Sequence, residues 1–132
     1  MTPVPEYLNP ATLKPPPATY SHLSRAGYLV FLAGQAGSDA EGRLGVDVAS
    51  QARQVFENLR LALESQGLGL RHLLRITIYL VDSALVLPFE AEMADLMPRL
   101  FPDGRYPPST LLVVHALARP ALLVEIDGVA LG

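Results

Sequence analysis

The chain has 132 residues, half of them hydrophobic and 17% charged, with a net charge of −3 and no cysteine. This suffices for one domain with a sizeable core, and it excludes disulfides, zinc–thiolate sites and thiol catalysis. The acidic balance has no basic stripe to neutralise phosphates, which argues against a nucleic-acid partner.

Residues 1–17 hold six prolines, Pro3, Pro5, Pro10, Pro15, Pro16 and Pro17, and predict an extended arm, since proline lacks the amide a helix needs. Tyr28–Ala33 (YLVFLA) is rich in aromatic and branched residues and predicts a strand. Gly34 to Gly45 is punctuated by glycine and acidic residues and predicts a turn, with the chain returning as a hairpin near Leu44–Val46. The loop has no Lys followed by Ser or Thr, and Asp39 and Glu41 would repel phosphates, so it is not a phosphate cradle.

Asp47 is placed to cap a helix. Ala52, Val55, Phe56, Leu59, Ala62 and Leu63 recur at three- and four-residue spacing, giving one apolar face, and Gly67 suits the residue that closes the helix. From His72 to Leu80, Leu74, Ile76, Ile78 and Leu80 alternate with a mixed set and predict a strand with one apolar face. Asp82 and Ser83 break it. Pro88 suits the first turn of a second helix, whose stripe is Phe89, Met93, Leu96, Met97 and Leu100. Two C-terminal strands, Leu111–Val114 and Leu122–Ala130, follow and are joined by a turn.

The predicted order is β-β-α-β-α-β-β in a single domain spanning 1–132. Its natural layering is an α+β fold, one sheet with two helices on one face. The other sheet face then lies open, and the apolar composition predicts that further copies of the chain cover it as a homo-oligomer. No apolar run approaches membrane-spanning length and no signal-like segment opens the chain. The expectation is a cytoplasmic protein without a membrane partner.

His22, His72 and His115 are far apart and lack metal-ligand spacing, so no metal site is expected. No Gly-x-Ser-x-Gly stretch supports a nucleophile elbow. Glu125 and Asp127 share a strand face. Glu125 reads either as a solvated or salt-bridged strand residue or as a general acid/base raised by partial burial. Glu90 reads as a good helix-start residue or as a second functional carboxylate.

Five stretches carry a resemblance to the RidA/YjgF family. They are Tyr20 with the apolar strand running from Gly27 into Gly34-Gln35, the helix DVASQARQVFENLRLALESQGLGL, the strand ITIYLVD, the segment RYPPSTLLVV, and VEID. The similarity spans about residues 18–130 in register. It implies a chorismate-mutase-like α+β fold, a homotrimer with sheets packed inward, and a small-molecule ligand in the cleft between subunits. The implied reaction is hydrolysis of enamines or imines to a carbonyl compound and ammonia, without a cofactor.

Carried over by position, Glu125 is the water-handling catalytic glutamate. Tyr20, Ala33, Gly34, Glu90, Ser109 and Leu111 fall at substrate-binding positions. Four of these depart from the family pattern. Ala33 replaces a serine, Glu90 a frequent asparagine, Leu111 a frequent cysteine, and Ser109 the arginine that clamps a substrate carboxylate. Arg105 lies roughly 13 Å from Ser109 along a strand, too far to substitute, and the sequence does not place Arg119. With Glu90 and Glu125 near and no cation supplied, the cleft is expected to be acidic and to disfavour an anion. Two readings follow: an imine deaminase of altered specificity, or a non-catalytic trimer that binds a neutral or cationic metabolite. RNA cleavage, attributed to some members, fits the charge least.

Overall fold

The computed structural model describes residues 3–132. It contains strands β1 (Glu6–Leu8), β2 (Leu23–Ala26), β3 (Leu29–Ala36), β4 (Leu73–Leu80), β5 (Ser109–Val113) and β6 (Val124–Leu131), and helices α1 (Val48–Glu64) and α2 (Val86–Leu100). All six strands form one sheet in the order β1-β2-β3-β6-β4-β5. Only β4 and β5 run parallel, and α2 makes the crossover that a parallel pair requires. The helices pack on each other, and α1 covers β3 and β6. Among the described residues no helix is long and apolar enough to cross a membrane.

Asp47 caps α1 as expected: its carboxylate accepts the Ser50 amide at 2.8 Å, and the Ser50 hydroxyl lies against the Asp47 amide in return. At the far end the Leu68 N–H donates to the Leu63 carbonyl and the Gly67 N–H to that of Glu64, both at 3.0 Å. This is the Schellman closure predicted from Gly67. Val55, Phe56, Leu59 and Leu63 are fully buried against Ile76, Leu80, Val124 and Ile126 of the sheet.

The strand pairings correct four expectations. Of the predicted extended arm, residues 1 and 2 lie outside the described residues. The remainder is not merely extended, because Glu6–Leu8 pairs with Leu23–Arg25 as an edge strand. The partner of the first long strand is not Leu44–Val46 but β2, through a two-residue turn at Gly27-Tyr28. Gly27 has φ +59°, the glycine-first pattern of a II′ hairpin; residue 44 makes a single bridge to Ser38. In β4 the register shifts between Leu73 and Arg75. That bulge turns Leu73 inward and leaves Leu74 43% exposed, against the expectation for its face. Finally, the two C-terminal strands are not sheet neighbours: β6 lies between β3 and β4, and β5 is the edge beyond β4.

A second bulge matters for function. The β3–β6 ladder passes from Leu32↔Gly128 directly to Gln35↔Ile126. Ala33 and Gly34 therefore stand opposite Asp127 alone, and the extra residue re-aims the backbone there. On the helix side of β6, Val124, Ile126 and Ala130 are buried. The opposite side carries Glu125, Asp127 and Val129, which are only partly covered.

Candidate active site

A cavity of about 210 Å³ opens at the Glu125 end of β6. Its floor is Gly34 and Gln35 of β3 and Glu125 of β6. One wall is the end of the N-terminal arm, from Leu13 to Ala18 with Tyr20 and His22. The other is the loop before β6, with Arg119 and Leu122.

The walls are held by buried polar side chains. His22 Nε2 lies 2.6 Å from the Lys14 carbonyl, so this nitrogen carries the proton and donates. Nδ1 is then the acceptor for the Gln35 amide at 3.2 Å. The arm is thereby tied to β3. From α1, Gln51 donates to the carbonyls of Gly45 (2.9 Å) and Ala121 (3.0 Å) and accepts the Leu123 amide at 2.9 Å. Asn58 donates to the carbonyls of Ala36 (3.0 Å) and Ser38 (2.8 Å). One helix thus fixes both the loop entering β6 and the end of β3.

Glu125 and Asp127 share a face but not an environment. The Tyr79 hydroxyl donates to Asp127 Oδ2 at 3.0 Å. No side chain among the described residues hydrogen-bonds the Glu125 carboxylate, which faces the cavity. Burial pushes the Glu125 carboxyl above the ordinary range, and the charge of Asp127 adds to this. Both effects disfavour the anion. The Tyr20 phenol is raised by burial and by Glu125, while Arg119 opposes the shift. It is therefore a neutral hydrogen-bond donor near pH 7. Gly34 is required by space: a Cβ there would stand 2.5 Å from Glu125 Oε2 and 2.7 Å from its Cδ. The carboxylate rests against bare backbone.

The other candidates from sequence lie elsewhere in the subunit. Ala33 is on a neighbouring shallow groove with Tyr20 and Phe31. Glu90 is exposed on α2 and does not line the cavity. Leu111 packs against the core next to Ile78. Ser109 pairs with Ile76, whereas Glu125 pairs with Tyr79. Two strand spacings and a three-residue offset put Ser109 about 14 Å from Glu125. It lines a separate groove with Arg75. Within a single chain the cavity lining is not dominated by acids. It holds one carboxylate, Glu125, and two cations, Lys14 and Arg119. Lys14, Gln51 and Asn58 were not singled out from sequence, and His22 and Gln35 were named there without a site role. Gln51 and Asn58 fall on the apolar stripe of α1, which was the available signal.

Residues 12–131 match the family model described as endoribonuclease L-PSP. A RutC family protein of Pyrococcus horikoshii is 31% identical over 117 residues, covering 87% of this chain and 88% of the relative. The solved structure of RidA from an Antarctic Psychrobacter superposes with a TM-score of 0.85 at 24% identity, over 96% of this chain and 98% of that one. Escherichia coli TdcF, solved with bound serine, gives 0.87 at 20% identity, over 96% and 98%. The fold is thus the chorismate-mutase-like α+β fold of these structures.

Proposed function

Since the chain belongs to the RidA/YjgF family, we propose that it is a cytoplasmic, cofactor-independent hydrolase of enamines and imines, forming a carbonyl compound and ammonia. The observation that carries this reading is the Glu125 carboxylate. It is half-buried, raised by desolvation, free of protein hydrogen bonds among the described residues, and held against Gly34 in a cavity. A structural carboxylate would be paired, as Asp127 is with Tyr79.

Ionised Glu125 takes a proton from water as the water oxygen bonds to the C=N carbon. The π electrons of that bond move to nitrogen, which takes the proton back from the Glu125 carboxyl. In the resulting carbinolamine Glu125 takes the hydroxyl proton and returns it to the amine, so that the C–N bond breaks, the carbonyl forms and ammonia leaves. The upward shift of the carboxyl suits both steps, because it makes the group a better proton acceptor that can still return the proton. The neutral Tyr20 phenol offers a hydrogen bond to the nitrogen or to the water.

Assembly as a homotrimer is part of the proposal. Leu29 and Phe31 pair with Leu131 and Val129 on the open sheet face, and Leu29, Phe31 and Leu131 are exposed there. Further copies would cover this face, and the Ser109 groove of one copy would approach the cavity of another. Serine in the TdcF structure supports a small amino-acid-like ligand.

The test is ammonia release from imines generated in situ, with wild type and Glu125→Gln compared. Acceleration that Glu125→Gln abolishes is expected. Ligand binding without turnover would instead leave a small-molecule-binding protein. Sedimentation should give three times the 14.2 kDa chain mass. Strong salt-dependent RNA binding would favour the nuclease reading, against which the net charge of −3 stands.

A further inference from the structure

We infer that Asp127 is a positioning residue for Glu125: held by the Tyr79 hydroxyl from the neighbouring strand, its charge sets the pH at which Glu125 accepts a proton. The inference rests on the reading of Glu125 as the reacting carboxylate. It adds a residue that acts through Glu125 and does not itself line the cavity.

The two acids stand two residues apart on β6, share one face of the strand and are both partly buried. The rise of a strand puts them about 7 Å apart. On β4, Tyr79 stands opposite Glu125 and Thr77 opposite Asp127. Tyr79 leans along the diagonal, a reach open to an aromatic side chain across an antiparallel pair. Its hydroxyl donates to Asp127 Oδ2 at 3.0 Å and not to the acid directly opposite. A donor on the anion favours the charged form of an acid. No side chain among the described residues gives Glu125 such a donor. Two acids that could share a proton are thereby set in order: Asp127 carries the charge and Glu125 the exchangeable proton.

The groups facing this pair are few. On the cavity side Glu125 shares the lining with the Tyr20 phenol, His22, Lys14 and Arg119. α1 contributes the neutral amides of Gln51 and Asn58. From β4, Arg75 reaches the Thr77 hydroxyl at 3.5 Å and neither acid. β3 sets the uncharged Ala33 and Gly34 opposite Asp127. Tyr79 stays a neutral donor, because the hydrogen bond to Asp127, burial and the charges of Asp127 and Glu125 all raise its phenol. Burial is the larger cause of the raised Glu125 carboxyl, and the charge of Asp127 is the second. The first belongs to the cavity. The second can be removed without reshaping it: Asp127→Asn keeps an oxygen for the Tyr79 hydroxyl and takes away only the charge. Two unit charges about 7 Å apart, in surroundings between bulk water and a partly desolvated site, alter a proton affinity roughly threefold to tenfold.

The test is the pH profile of kcat/KM for imine hydrolysis, read beside the titration of the Glu125 side-chain carboxyl by carbon-13 NMR. Both use the full-length protein, and Glu125→Gln assigns the signal. In Asp127→Asn the Glu125 midpoint should move down and the acid limb with it, both staying above about 4.3 because burial remains. On that limb Asp127→Asn should exceed wild type in kcat/KM by the same factor of roughly three to ten. Above the limb wild type should be the faster, since its carboxylate is the stronger base. A merely structural change would lower the rate at every pH and give no such crossing. In Tyr79→Phe the Asp127 anion loses its donor and competes for the proton, so the Glu125 titration should spread over a wider pH span.

An unmoved or raised Glu125 midpoint in Asp127→Asn, two pH profiles that do not cross, or a Tyr79→Phe titration identical with that of wild type would overturn the inference. These outcomes separate from the proposed activity. If imines are hydrolysed through Glu125 and its midpoint ignores Asp127, the inference fails and the activity stands. If the midpoint follows Asp127 and no imine is hydrolysed, the activity fails and the coupling of the two acids stands.

Discussion

Replacing Gly34 with alanine separates the placement of Glu125 from the stability of the fold. The new Cβ would meet Glu125 Oε2 at 2.5 Å, where ordinary contact begins at 3.4 Å. The carboxylate must therefore recede by about 0.9 Å, the difference of those two distances. Gly34 does not have a positive φ, so alanine adds no backbone strain. What is displaced is the far end of a flexible side chain, so the stability cost should sit near the lower end of overpacking, about 1 kcal/mol. A misplacement of about 1 Å in a reacting group costs on the order of a hundredfold in rate. Gly34→Ala should thus lose about two orders of magnitude in kcat for imine hydrolysis while keeping a near-normal urea midpoint. Wild-type kcat in a folded Gly34→Ala protein would refute the placement of Glu125 as the reacting carboxylate.

Glu125→Gln should change the pH dependence of stability with a definite sign. The folded-state carboxyl is raised, so the folded protein holds its proton to higher pH than the unfolded chain does. Stability from this group is complete below the unfolded pKa and falls as pH rises through the folded one. Thermal melts should show Glu125→Gln gaining on wild type as pH rises, with the gain absent at low pH. For the same reason the acid limb of kcat/KM in wild type should lie above the ordinary carboxylate value of about 4.3. Leu59→Ala, at a fully buried core position, should cost about 3 kcal/mol in urea unfolding. Gln51→Ala would leave the Ala121 carbonyl and Leu123 amide without partners and should cost at least about 2 kcal/mol in urea unfolding.

The elements were legible where the signal is local. Asp47 with a three- and four-residue apolar rhythm ending at Gly67 is a complete helix description within the segment, and α1 follows it at both ends. Period-two alternation located β4, but not the bulge that exposes Leu74, because a bulge arises from pairing with β6 and not from the strand itself. The same holds for the sheet order. Nothing in residues 105–132 states that β6 pairs with β3 and β4 and leaves β5 at the edge. At the site, resemblance pointed to Tyr20, Gly34 and Glu125, and these line one cavity. Strand alternation alone did not separate Glu125 from Asp127, two acids on one face. Resemblance chose Glu125, and the structure pairs Asp127 with the Tyr79 hydroxyl while Glu125 lines the cavity.

The placement of the cation also follows from the sheet. A side chain at position 109 sits two strands and three residues in register away from Glu125. Within a subunit that is about 14 Å, beyond the reach needed to clamp a ligand held at Glu125. An arginine at 109 could serve the cavity only from another copy, so its contact would depend on how precisely two chains meet. Arg119 avoids that dependence. It stands on the segment that leads into the strand bearing Glu125, and Gln51 of α1 pins that segment on both sides of Leu122. The cation and the carboxylate are then positioned by a single covalent and hydrogen-bonded unit. Buried amides accept few geometries when every partner must be satisfied. That restriction fixes the backbone from which Arg119 joins the lining of the cavity.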